Sequence, residues 1–151
     1  FVQESYFTCA DPNLYKESAM KLNLSVSSAS IAGEFVIFLF NVRTMTHILH
    51  LNTSSNAQHE ALDEFYKGIV ELADRFAESS IGRFKTITWP ELLGDGVVTV
   101  ADLEPIRYLN QVKAGIEKAV DLFDDMEDLE NIIAEILELT TSTLYKLEQL
   151  S

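Results

Sequence analysis

All three histidines of the chain, His47, His50 and His59, fall within thirteen residues. Carboxylates follow them at helical spacing: Asp63 stands four residues after His59, and Asp74 and Glu78 are again four apart. Residues four apart lie one turn along the same helix face. At about 100° per residue, His59, Asp63, Asp74 and Glu78 fall inside one sector of roughly 100°. Imidazole with carboxylate is a ligand set suited to iron, manganese or zinc. Asp74 lies about 22 Å beyond His59 if the helix is continuous, at 1.5 Å per residue. The two ends of the stripe therefore cannot grip one ion within a single chain. Two copies of the helix packed antiparallel about a two-fold axis would set His50, His59 and Asp63 of one chain against Asp74 and Glu78 of the other. The competing reading is a solvated polar helix face carrying incidental histidines.

Helices must position these residues. The first bundle helix is expected over about Ile31 to Leu51, capped by Ser28 or Ser30. It carries the apolar run Phe35 to Phe40, which is expected to be buried on several sides, inside the bundle or against another subunit. The polar stretch 52–56 makes a turn, with Asn56 as N-cap. The second helix is expected over Ala57 to Ile81, with Gly82 as its stop. Leu62, Phe65, Tyr66, Ile69, Val70, Ala73, Phe76 and Ala77 form its inward stripe at steps of three and four. Residues 83–102 are irregular. They hold Trp89, read as a packing residue, a possible short helix at Pro90 to Leu93, and a weak strand signal at Val97 to Val100.

The third helix is expected to begin near Asp102 or Glu104 with Pro105 in its first turn. Its inward positions are Ile106, Leu109, Val112, Ile116, Val120 and Phe123. After the acidic corner Asp124 to Asp128, the fourth helix runs from about Leu129 to Leu150, with Ile132, Ile133, Ile136, Leu137, Leu144, Leu147 and Leu150 inward. Ahead of the bundle, Asp11-Pro12 reads as the start of a short helical segment over Asn13 to Leu22. Two helices, one long connection, then two more predict an all-α, ferritin-like four-helix bundle. Residues 1–29 would be an N-terminal extension and residues 30–151 the single bundle domain.

Bulk properties narrow the function. The net charge is −13, from 24 acids against 11 bases. Such a body repels phosphate backbones, which disfavours nucleic-acid binding. Excess carboxylate suits hard cations. The longest apolar run has six residues, against about 20 for a membrane span. The single cysteine, Cys9, permits neither an intramolecular disulfide nor a thiolate zinc site, so a reducing, cytoplasmic compartment is expected. No secretory leader pattern, phosphate loop or nucleophile elbow is visible.

Three stretches carry a resemblance. Thr46-His47-Ile48-Leu49-His50-Leu51-Asn52, then His59-Glu60-Ala61-Leu62-Asp63, then Asp74-Arg75-Phe76-Ala77-Glu78 resemble the ferroxidase signature of the Dps family, the mini-ferritins. The likeness covers roughly residues 43–83, and small phage-encoded proteins of this type look most similar. It implies an iron site shared across a two-fold dimer, with His50, His59 and Asp63 from one chain and Asp74 and Glu78 from its mate. It also implies Fe(II) oxidation by peroxide or oxygen, and a homo-oligomer in contact through the first two helices. Two departures stand out. Leu51 occupies the family's Trp position, and the first turn is about three residues shorter and lacks the family's glycine, which leaves His47 as a substitute for His50. The family's basic tail has no counterpart, so DNA binding is not implied. A second class of function is a structural bundle subunit, for example in a phage virion, with a vestigial metal site.

Overall fold

The computed structural model describes residues 27–90 and 103–150. Those residues form four helices and no strand: α1 (Ser28–Asn52), α2 (Asn56–Phe84), α3 (Pro105–Leu122) and α4 (Glu127–Gln149). The expected helical segment at Asn13 to Leu22, residues 91–93 of the expected short helix, the strand signal at Val97 to Val100, and Cys9 lie outside the described residues.

Local chemistry sets the helix ends, in several cases one residue from the expected place. Ser27, rather than Ser28 or Ser30, caps α1 by accepting from the Ser30 amide at 3.2 Å. Ser55, rather than Asn56, caps α2 and accepts from the Gln58 amide at 3.3 Å. In each case the residue before the expected cap already has an extended backbone and a hydroxyl within reach of the orphan amides. Gly82 does not stop α2. The helix continues to Phe84 and ends at Lys85, whose φ of 68° places it in the left-handed region. Glu104 caps α3 as expected, its carboxylate accepting from the Ile106 and Arg107 amides with Pro105 behind it. The fourth helix starts at Glu127, earlier than Leu129, and places Glu127, Asp128 and Glu130 in its first turn, where carboxylates complement the helix dipole.

Side-chain pairs fix the directions. Glu64, Arg75 and Arg83 along α2 meet Lys146, Glu135 and Asp128 of α4 in that order, so the two helices are antiparallel. Phe35 near the start of α1 packs edge-on against Phe76 in the second half of α2, with ring centroids 4.8 Å apart. Both approach Phe123, just beyond the end of α3. The ends of α2 and α3 thus lie together, and α3 begins at the other end of the bundle. The link from 85 to 104 joins opposite ends, leaving α2 and α3 parallel. This is the one-crossover connectivity predicted from the sequence.

The core runs the length of the bundle. Phe35, Phe65, Phe76, Phe123, Leu62, Ile69, Leu109, Ile116, Ile133 and Ile136 are all fully buried. Three residues read as inward are not: Val70 is 41% exposed, Val120 39% and Leu150 51%; Phe40, in the run read as core or subunit interface, is 42% exposed. Val70 and Val120 lie at the edges of their apolar arcs, and Leu150 lies just past the end of α4. Trp89, read as a packing residue, is likewise 49% exposed. Among the described residues no helix is long and apolar enough to cross a membrane.

Candidate metal centre

The turn of residues 53–55 is short, so the end of α1 and the start of α2 face each other closely. Thr53 Oγ1 donates to Gln58 Oε1 at 2.7 Å and accepts from the Ser55 amide at 3.2 Å, which ties the turn to α2. The turn delivers His50 and His59 to the same spot. Their rings stack with centroids 3.7 Å apart and planes inclined by 30°. His50 Nδ1 lies 2.9 Å from the His59 carbonyl oxygen, and His59 Nδ1 lies 3.0 Å from the His50 carbonyl oxygen. A carbonyl only accepts, so both Nδ1 atoms must carry hydrogen. In the neutral rings both Nε2 atoms then hold free lone pairs. Donation of the remote N–H to a backbone carbonyl is the arrangement that orients metal-bound imidazoles.

Asp63 stands beside this pair, its Oδ1 3.9 Å from His50 Nε2. Its other oxygen accepts from Lys67 Nζ at 2.6 Å. The Lys67 hydrogen bond holds the Asp63 carboxyl below its usual range. Partial desolvation opposes this, and the Tyr66 hydroxyl and the charges of Lys67 and His50 reinforce it. Lys67 is shifted upward in turn, chiefly by Asp63.

A second aromatic layer adjoins. Tyr66 stacks on His47 with centroids 4.1 Å apart and an 11° inclination, and meets His50 edge-on at 5.3 Å. Tyr66, expected in the inward stripe of α2, is half-buried. Tyr66 and Lys67 are the residues that reading the sequence for ligands missed. Their signal was the step of three and four from Asp63, which puts them on the carboxylate's own face.

Asp74 and Glu78 are exposed farther along α2. The helix is unbroken from Asn56 to Phe84, so the separation of about 22 Å from His59 stands. Arg75, next to Asp74 in sequence, directs its guanidinium at Glu135 of α4 through hydrogen bonds of 2.6 and 2.8 Å. Neither Asp74 nor Glu78 belongs to an ion pair among the described residues. The structure therefore brings His50, His59 and Asp63 together and leaves Asp74 and Glu78 apart. Among the described residues no three His, Cys, Asp or Glu side chains form a ready cage for a metal ion. The stacking explains part of this. Imidazole lone pairs lie in the ring plane, and two rings face to face send theirs alongside each other rather than to one point. One ion can take one of the two imidazoles in this arrangement.

Fold and site together define a one-crossover four-helix bundle with a histidine–carboxylate cluster at the turn of its first helix pair. The chain belongs to a family of unknown function, DUF5856, which matches residues 50–147. The matched span contains all five of His50, His59, Asp63, Asp74 and Glu78. No curated protein and no solved structure matches the chain.

Proposed function

We propose that this protein is a Dps-like, ferritin-type homologue that takes Fe(II) as substrate at sites shared by two chains and oxidises or sequesters it. The observation that carries the reading is the reciprocal pair of hydrogen bonds between His50 and His59, which turns both Nε2 atoms away from the backbone, that of His50 towards Asp63 at 3.9 Å. This half-site supplies nitrogen and one carboxylate. Asp74 and Glu78 supply the missing oxygen ligands if α2 of a second chain packs antiparallel across it. The exposed surface suits that contact. Phe40 and Leu51 on α1 are eleven residues apart, as are Val70 and Ile81 on α2, and all four are exposed apolar side chains. Eleven residues is about three turns, so each pair lies on one line of its helix. An apolar stripe interleaved with the site carboxylates is what a two-fold contact would bury.

The chain's own residues would hold Fe(II) and position it, while iron supplies the electrons that pass to peroxide or oxygen. The test is anaerobic Fe(II) binding and subsequent oxidation by peroxide, compared between wild type and Asp74→Ala/Glu78→Ala. The expected result is binding and rapid oxidation in wild type, with loss of at least ten-fold in affinity in the double variant, since even an outer-shell partner of a ligand is worth about ten-fold or more. Absence of binding in wild type would remove the proposal.

One observation favours a second reading. The two histidines also staple α1 to α2 without any metal, which is what a bundle used only as an assembly subunit, such as a virion component, would need. Purified protein free of iron, manganese and zinc and docked on other proteins would support that reading.

A further inference from the structure

The carboxylate of the histidine half-site already has a cation on it. Lys67 Nζ sits 2.6 Å from Asp63 Oδ2, one turn further along α2. The opposite half is different: Asp74 and Glu78 have no ion pair among the described residues, and the nearby base Arg75 is drawn away to Glu135. The Lys67 side chain is 63% exposed, so it can swing off into solvent at the loss only of Asp63 and of a loose approach to the Tyr66 ring, 5.9 Å from its centroid. We infer that Lys67 is a tethered counter-ion that occupies Asp63 and that a divalent cation must displace to enter the half-site. This rests on the metal-binding reading above and adds its regulation.

Lys67 and the cation compete for Asp63. A divalent cation bonding Asp63 needs the oxygens that Lys67 now satisfies, and the ammonium also repels the incoming charge. An exposed lysine–carboxylate pair is weak, so its removal should tighten cation binding only about two- to five-fold. A role confined to helix stability predicts the other sign or none, because loss of an i,i+4 pair loosens the helix that presents Asp63.

The experiment titrates the intact protein with Co(II), read by its visible absorption, for wild type, Lys67→Gln, Lys67→Arg and Lys146→Gln. Lys146 pairs with Glu64, the neighbour of Asp63 in sequence, and controls for loss of one positive charge nearby. The expected result is a two- to five-fold lower Kd in Lys67→Gln, with Lys67→Arg and Lys146→Gln at the wild-type value. Unchanged or weaker binding in Lys67→Gln would overturn the inference, as would equal tightening in Lys146→Gln. If wild type binds Co(II) and Lys67→Gln does so no better, the inference fails alone. If no variant binds Co(II), the metal-binding reading fails and the inference falls with it.

Discussion

His50 is 7% exposed, while His59 is exposed on the first turn of α2. Each ring nevertheless donates to the other's backbone. Proton-coupled nitrogen spectra of the metal-free protein should show both neutral imidazoles as Nδ1–H tautomers. Replacing His50 removes its hydrogen bond, its stacking and its contact with Tyr66. His50→Ala is therefore expected to lower stability by about 1–3 kcal/mol in urea unfolding. A change below the error of that measurement would mean that the clasp does not hold the turn. That the two imidazoles meet was legible from the sequence, because His50 and His59 flank a turn too short to separate them. Their stacking was not, since it depends on ring rotamers that no spacing encodes. Tyr66 was misread for a related reason: a tyrosine at a three–four step looks like core, and only the neighbouring His47 ring shows that it belongs to the site's border.

At the scale of elements, two glycines separate what the backbone requires from what it tolerates. A Cβ on Gly33 of α1 would lie 2.1 Å from the Thr88 carbonyl oxygen, where the chain leaving α2 crosses α1 and the Thr88 amide donates to the Ala29 carbonyl. Gly82 lies inside α2 with open space around it. Gly33→Ala is expected to cost about 1–3 kcal/mol by overpacking. Gly82→Ala should stabilise by about 0.5–1 kcal/mol through helix propensity. Thermal or urea unfolding of the two variants checks both signs. The sequence placed all four helices within a few residues because their apolar periodicity is strong and Pro105 and the turn of residues 53–55 are clear punctuation. It missed the true end of α2 because a glycine in a helix pattern is indistinguishable from a stop until its surroundings are known. The antiparallel register of α2 on α4 was also beyond it. That register rests on Arg75–Glu135, Arg83–Asp128 and Glu64–Lys146, pairs from 45 to 82 residues apart in sequence.

For the whole molecule, the central issue is that the five candidate ligands are divided between the two halves of one helix. The sequence exposed this through the fifteen-residue gap between His59 and Asp74, and the unbroken α2 upholds it. Of the exposed Phe40, Leu51, Val70 and Ile81, periodicity puts Val70 in the core stripe and Phe40 in the core or a subunit interface, and it leaves the other two unassigned. Amphipathic periodicity reports only that a side chain is apolar, not whether its own chain or a second one covers it. In the proposed reading, a second copy of the chain would cover the apolar stripe and bring the acidic half of α2 to the histidine half on the same helix pair. Complementation tests this directly. One variant loses the histidine half, His50→Ala/Asp63→Ala, and the other loses the acidic half, Asp74→Ala/Glu78→Ala. Each alone should bind Fe(II) at least ten-fold more weakly than wild type and oxidise it correspondingly slowly. Refolded together in equal amounts, half of all two-fold dimers are mixed and each holds one intact site of two, so the mixture should recover about a quarter of wild-type Fe(II) oxidation. No recovery, from a mixture shown by mass to contain mixed dimers, would contradict a site shared between chains.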